Sequence, residues 1–249
     1  MEGSTSPSTA DDYSADASVA ESAVQDHMAK LSLHAAPPGS NPSGALAQEE
    51  SESVKHMHEV SKLPHDQITA ELVKQLGAPT EKFLCKLTDN WPKLRFGGFK
   101  IRDIVSGYTL VEVQDDEVDN GDTGTLSDED DPSTRVIKYH LGPDFLRLRT
   151  VGLTLTFSNG PQPISKMEMV ERHYFRGRVI RSYDFKFGFV IPGSTNSWEF
   201  IYDLPELSDS ERLDIVNAPW EVTSDSFFFA DGKLIIHNRA EYNYTPLDG

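Results

Sequence analysis

KMEMVERHYFRGRVIRSYDFKFGFVI, residues 166–191, contains two β-patterned runs, Lys166 to Phe175 and Val179 to Ile191, around Arg176-Gly177-Arg178. Runs of β-branched and aromatic residues that alternate with polar ones across a glycine-containing turn read as a β-hairpin. In the second run Tyr183, Phe185, Phe187 and Phe189 share one face, with Asp184 and Lys186 opposite. In the first, the same alternation puts Glu171, His173 and Phe175 on one face, opposite Arg172, Tyr174 and Arg176. If Glu171 and His173 face inward, a carboxylate and an imidazole enter an aromatic interior, which is costly unless they are paired. If they face outward, they form a surface ion pair. The local pattern does not choose between the two.

The same grammar extends along the chain. Phe99 to Ile104 and Tyr108 to Val113 flank Ser106-Gly107, and Ser224 to Ala230 and Leu234 to Tyr244 flank Asp231-Gly232. Arg135 to His140, Phe145 to Phe157 and Trp198 to Tyr202 read as further strands. Ile68, Leu72, Val73 and Leu76 mark one helical face, stopped by Gly77 and Pro79. Ser208-Asp209-Ser210-Glu211 is a capping box that opens a second short helix, ending before Pro219. About nine strands at hairpin spacing with two short helices predict an all-β sandwich.

Charge separates this body from its appendages. The 249 residues have a formal net charge of −17. Residues 1–60 hold ten acidic and two basic side chains, and 114–132 hold nine acidic and none basic, leaving 21 of each sign elsewhere. The first sixty residues, rich in Ser, Ala and Pro, predict a disordered acidic tail with a short helix over Ala20 to Leu31, followed by a folded domain over 61–249. The segment 114–132 predicts a long acidic loop: a solubilising insertion, or a phosphorylation or electrostatic contact site through Thr123, Thr125 and Ser127. The acidity argues against nucleic-acid partners. No apolar run is long enough for a membrane helix, and no signal pattern opens the chain. One cysteine, Cys85, excludes an internal disulfide and suits a cytoplasmic location.

Catalytic constellations are missing from the sequence. It has no phosphate loop, nucleophile elbow or zinc-protease motif, so neither an enzyme nor a cofactor is expected. Cys85, among Leu84, Lys86 and Leu87, reads as a buried thiol ahead of a nucleophile. His56 and His58 have metal-compatible spacing but fall in the expected tail, and no metal site is expected. Aromatic density is the unusual feature: of 13 Phe, 8 Tyr and 3 Trp, all but Tyr13 follow residue 60. Phe227, Phe228 and Phe229 place large rings on both faces of one strand. Either a solid aromatic core or a cavity between the sheets for an apolar ligand accounts for this.

Phe99-Lys100-Ile101-Arg102-Asp103, Phe145-Leu146-Arg147-Leu148-Arg149 and Glu171-Arg172-His173-Tyr174-Phe175-Arg176 occur in that order. Ser182-Tyr183-Asp184-Phe185, Phe187-Gly188-Phe189, Ile201-Tyr202-Asp203 and Ser224-Asp225-Ser226-Phe227 follow, and His237-Asn238 lies in the last strand. Over residues 60–245 this resembles the phosphodiesterase delta-subunit family of lipid-binding chaperones, in its "uncoordinated" (Unc) acyl-binding branch. The resemblance implies an immunoglobulin-like β-sandwich enclosing a pocket for the myristoylated N-terminus of Gly-starting cargo. Such cargo includes G-protein α subunits, Src-type kinases and ciliary proteins, and release goes to a GTP-bound Arf-like small GTPase. It also implies a cilium association and a nervous-system setting, without stable membrane insertion. Lipid-binding residues carried over are Phe99, Ile101, Tyr139, Phe145, Val151, Tyr183, Phe185, Phe228 and Tyr242. Tyr139, Glu171 and His173 match positions deep in the pocket or near the first residues of the peptide. Phe228 and Leu204 stand where the family pattern has a tyrosine and a phenylalanine. The alternatives are a prenyl-binding member of the family, or a solid-core adaptor that recognises peptide without lipid. Hydrolysis at Glu171 and His173 lacks an accompanying nucleophile or metal set.

Overall fold

The computed structural model describes residues 42–113 and 132–247. The chain divides into units Met1–Ala45 and Leu46–Gly249, and the second holds both sheets. The expected helix at Ala20 to Leu31, most of the tail and the acidic segment lie outside the described residues. Among the described residues nine strands form two sheets. One has four strands: β1 (Arg95–Asp103), β2 (Thr109–Val113), β4 (Thr150–Ser158) and β7 (Thr195–Asp203), in the order β2-β1-β4-β7. The other has five: β3 (Val136–His140), β5 (Ile164–Phe175), β6 (Arg178–Val190), β8 (Val222–Ala230) and β9 (Lys233–Asn243), in the order β3-β9-β8-β5-β6. The expected β-sandwich is therefore observed.

Turn chemistry sets the hairpins. Arg176 and Gly177 have φ of 51° and 78°, and Asp231 and Gly232 have 51° and 80°. Consecutive left-handed residues make the primed turns whose twist matches that of the strands, so Arg178 begins β6 rather than ending the turn. Alternation also fails once. Phe189 is 58% exposed, off the face shared by Tyr183, Phe185 and Phe187, because Gly188 turns the backbone at φ 93°. The predicted strand over Phe145 to Phe157 is shorter than expected. Pro143–Arg147 form a 3-10 turn that takes in Phe145, and β4 starts at Thr150. Pro143 has no N–H to donate and a fixed φ that suits the start of such a turn.

The N-terminal boundary also requires correction. Helix α1 spans Pro42–Lys62, so the expected tail over 1–60 gives way to helix at residue 42. Met57 and Val60 lie on one face of it and are 4% and 1% exposed. They join Ile68, Val73, Leu76, Leu84 and Cys85 in one cluster with Val170, Phe227, Phe229 and Leu234 of the five-stranded sheet. The segment cannot bury enough surface alone, but the outer face of this sheet is itself apolar and supplies the partner. Gly77 allows the close approach, since a Cβ there would come within 2.8 Å of the Ser53 side chain. Helix α2 (Ala70–Lys74) is shorter than its apolar face and is capped by Thr69, whose hydroxyl accepts the Leu72 N–H. Helix α3 (Asp209–Val216) carries the predicted capping box of Ser208 and Glu211.

Beneath this layer a polar cluster clamps residues 80–84 to the sheet. Asp225 is 0% exposed and accepts from Thr80 N (3.0 Å), Thr80 Oγ1 (3.2 Å), His237 Nε2 (3.2 Å) and Arg239 Nε (3.0 Å). His237 Nδ1 accepts the Leu84 N–H at 3.0 Å, which fixes the proton on Nε2.

Candidate functional site

The aromatic face between the sheets is solid at one end and hollow at the other. At the solid end Trp198 and Phe200 rings lie 4.3 Å apart, Phe187 lies 5.2 Å from Trp198, and Phe157, Ile164, Met167 and Val190 fill the remainder. Beyond Phe96 and Phe228, whose rings are 4.8 Å apart, a cavity of about 680 Å³ opens and runs to Leu207 and Ile215 beside α3. Its walls include half-exposed Val113 and Ile137 on the edge strands β2 and β3, so it reaches the surface between them. This volume lies within the range of small-molecule sites.

The structure brings ten of the eleven expected site residues to this cavity. Phe99 and Ile101 come from β1 and Val151 from β4; Tyr139, Phe228 and Tyr242 come from β3, β8 and β9. Glu171 and His173 come from β5, Tyr183 from β6, and Phe145 from its 3-10 turn. Phe185 is the exception. Its ring spans from β6 to β7, 4.9 Å from Phe200 and 5.3 Å from Tyr202, and it belongs to the packed end rather than the lining. The two departures from the family pattern, Phe228 and Leu204, both line the cavity.

Glu171 and His173 face inward. Glu171 is 6% exposed; its Oε1 lies 3.1 Å from His173 Nε2, and its Oε2 accepts the Tyr202 hydroxyl at 2.8 Å. Burial alone would raise its pKa, but the adjacent imidazole and the hydroxyls of Tyr202 and Ser226 outweigh it and hold the carboxyl below its ordinary value. The group stays ionised in an apolar wall because its lone pairs are occupied. The His173 ring stacks on Tyr242 at 5.5 Å, and Tyr242 stacks on Tyr139 at 5.4 Å. Phe99 meets Tyr139 edge-on at 5.7 Å, joining the two sheets across their open edge. Burial pushes the Tyr183 hydroxyl up to about 12 and raises those of Tyr139, Tyr202 and Tyr242, so all four remain neutral donors. The hollow can therefore hold an apolar chain and offers a compact polar patch to a group such as an amide.

Sequence reading missed Tyr202, Met169, Leu153 and Leu155, which also line the cavity. Alternation of Trp198, Phe200 and Tyr202 along β7 carries the signal for the first. Arg181, also on the wall, lies two residues before Tyr183 on β6, so the same alternation carries its signal. The remaining chemistry-bearing residues lie elsewhere. Cys85 is buried in the outer cluster. His58 on α1 meets the Val54 carbonyl (2.8 Å) of the same helix and Glu81 (3.0 Å) of the segment after α2, while His56 Nε2 lies 3.5 Å from the Leu72 carbonyl. Among the described residues no group of three or more His, Cys, Asp or Glu is placed to hold a metal, and no helix is long and apolar enough to cross a membrane.

Comparison with known proteins agrees with the architecture. The family model for the delta subunit of GMP-PDE matches residues 88–244. Human protein unc-119 homolog B is 44% identical over 185 residues, covering 72% of this chain and 73% of the relative. Caenorhabditis elegans protein unc-119 is 39% identical over 186 residues, 75% of this chain and 84% of its own. The Drosophila melanogaster unc-119 homolog is 36% identical over 192 residues, 71% and 72% of the two chains. A hollow β-sandwich and matches of this extent show that the chain belongs to the GMP-PDE delta-subunit family, in its Unc-119 branch.

Proposed function

We propose that this lipid-binding trafficking factor takes the myristoylated N-terminus of Gly-starting cargo proteins into the cavity between its sheets. It shields them from membranes and yields them to a GTP-bound Arf-like small GTPase. The observation that carries the reading is a cavity of about 680 Å³ lined mainly by aliphatic and aromatic side chains, with a compact polar patch at Glu171, His173 and their partners. Each methylene of an acyl chain removed from water contributes about 0.8 kcal/mol, so a fourteen-carbon chain held whole in such a cavity competes with a bilayer. The polar patch gives the chain's terminal amide hydrogen-bonding partners, which unlipidated peptide could not reach without the acyl anchor. In this reading Phe99, Ile101, Phe145, Val151 and Phe228 bind the chain, and Tyr139, Glu171, His173, Tyr183 and Tyr242 bind its peptide end.

The reading is tested by titrating a fluorescent N-myristoylated Gly-starting peptide against its unlipidated and C-terminally farnesylated counterparts. Selective binding of the myristoylated form is expected, followed by its release on adding a GTP-loaded Arf-like GTPase. Preference for the farnesylated form would move the chain to prenyl cargo. Equal binding of lipidated and unlipidated peptide would sink the lipid reading and favour a peptide adaptor. Cytoplasmic shuttling and a cilium association belong to the same proposal and follow the location of the cargo.

A further inference from the structure

One charged group of the cavity has no role in the arrangement above. Arg181 on β6 stands opposite His173 on β5 in the sheet register and shares its inward face with Tyr183. It is half-buried near the α3 end of the hollow, where Ile180, Leu207 and Ile215 also line the wall. Its guanidinium donates to the backbone carbonyl of its neighbour Ile180, and among the described residues no carboxylate forms an ion pair with it. The nearby carboxylates are otherwise placed. Glu171 is held by His173 and Tyr202, and Glu211 accepts from Ser208 N (2.8 Å) and Ser208 Oγ (2.6 Å). Asp214 lies exposed on the same rim. Burial draws the arginine below its ordinary value, an effect that Tyr183 and Glu211 only partly offset. A half-desolvated guanidinium beside an apolar hollow is matched by a ligand that brings an anion on an apolar tail.

We infer that the cavity also binds free long-chain fatty acids, with the carboxylate on Arg181 and the chain directed inward past Tyr183 towards Phe228. This rests on the acyl-binding reading of the same cavity and adds a second ligand class, which would compete with acylated cargo for the space. The neighbouring patch around Glu171, one step along the same hairpin, does not suit the carboxylate, because Glu171 is already ionised there. The head group is therefore directed to the α3 rim. A bidentate carboxylate–guanidinium contact of this kind gives about 10- to 100-fold in affinity over an uncharged head group.

The experiment displaces a fluorescent N-myristoylated peptide from the full chain with sodium myristate or with myristyl alcohol, both below their aggregation limits, at pH 8. Myristate is expected to act at about 10- to 100-fold lower concentration than the alcohol. Arg181→Gln should remove that difference, and Arg181→Lys should restore part of it. Equal potency of acid and alcohol on the unmodified chain, or a difference that survives in Arg181→Gln, overturns the inference. If the reporter peptide does not bind, the myristoylated-cargo reading fails by itself. Calorimetric titration of myristate into the chain and into Arg181→Gln then decides the role of Arg181 separately.

Discussion

Replacing Asp225 with alanine tests whether the polar clamp under the N-terminal layer holds the fold together. Four donors converge on this carboxylate at 3.0–3.2 Å, two of them from Thr80 and one each from His237 and Arg239. The two donor-bearing strand residues belong to β9, while Thr80 belongs to the segment leading from α2 to β1, so one side chain ties the outer layer to the sheet. Burial opposes its charge, but His237, Arg239 and the Thr80 N–H together hold the carboxyl below the usual range. Alanine strands the Thr80 N–H and the His237 N–H and takes the counter-charge from Arg239, whose Nη2 still donates to the Thr80 carbonyl at 2.6 Å. Removing one member of a buried ion pair costs about 3–5 kcal/mol. The Arg239 side chain is 22% exposed and so regains some water, which places the expected loss near the lower limit, about 3 kcal/mol. For a folded body of this size that is a fall of about 6–12 °C in the unfolding midpoint. Asp225→Asn keeps the shape and one acceptor and should lose about half as much. Urea and thermal unfolding of the three proteins measure it, and combining Asp225→Ala with Arg239→Met should recover part of the loss. A change below about 1 kcal/mol, or strictly additive single substitutions, would refute the reasoning.

Three further expectations concern the same structure. Burial lowers the His237 pKa below its ordinary 6.5, so as pH falls the unfolded chain takes up this proton first. Stability should therefore fall from about pH 6.5 downwards, and His237→Gln, which can still donate to Asp225, should flatten that limb of the pH–stability curve. Leu153→Trp places a large ring in the cavity; displacing about two methylenes of ligand should weaken N-myristoylated peptide about tenfold in a fluorescence titration, with little change in the unfolding midpoint. Met57→Ala should cost about 2 kcal/mol in urea unfolding, because its side chain is 4% exposed in the outer cluster; an unchanged midpoint would mean α1 is not docked there.

The strand order along the chain was legible because the evidence for it is local. Alternation along residues 166–191 and the pairs Arg176-Gly177 and Asp231-Gly232 depend on neighbours in sequence, and the hairpins β5–β6 and β8–β9 follow from them. The Ser208 and Glu211 capping box was legible for the same reason. Features with long sequence separation were not. The docking of α1 needs the outer face of β5, β8 and β9, more than a hundred residues away, and the clamp joins Thr80 to Asp225. Phe189 left its expected face because one glycine, Gly188, changed the direction of the strand.

For the site, the sequence by itself determined which faces are aromatic, that Glu171 and His173 share one of them, and, through its ordered motifs, which family pattern to compare. Tertiary structure decided that this face points inward, that the sheets part beyond Phe96 and Phe228 to leave a hollow, and that Phe185 packs while Tyr183 lines. It also brought Tyr202 to the Glu171 carboxylate and left Arg181 beside the α3 rim. Alternation fixes which side chains share a face, whereas the separation of two sheets depends on contacts between strands distant in sequence. A solid core and a hollow one can therefore arise from the same local pattern.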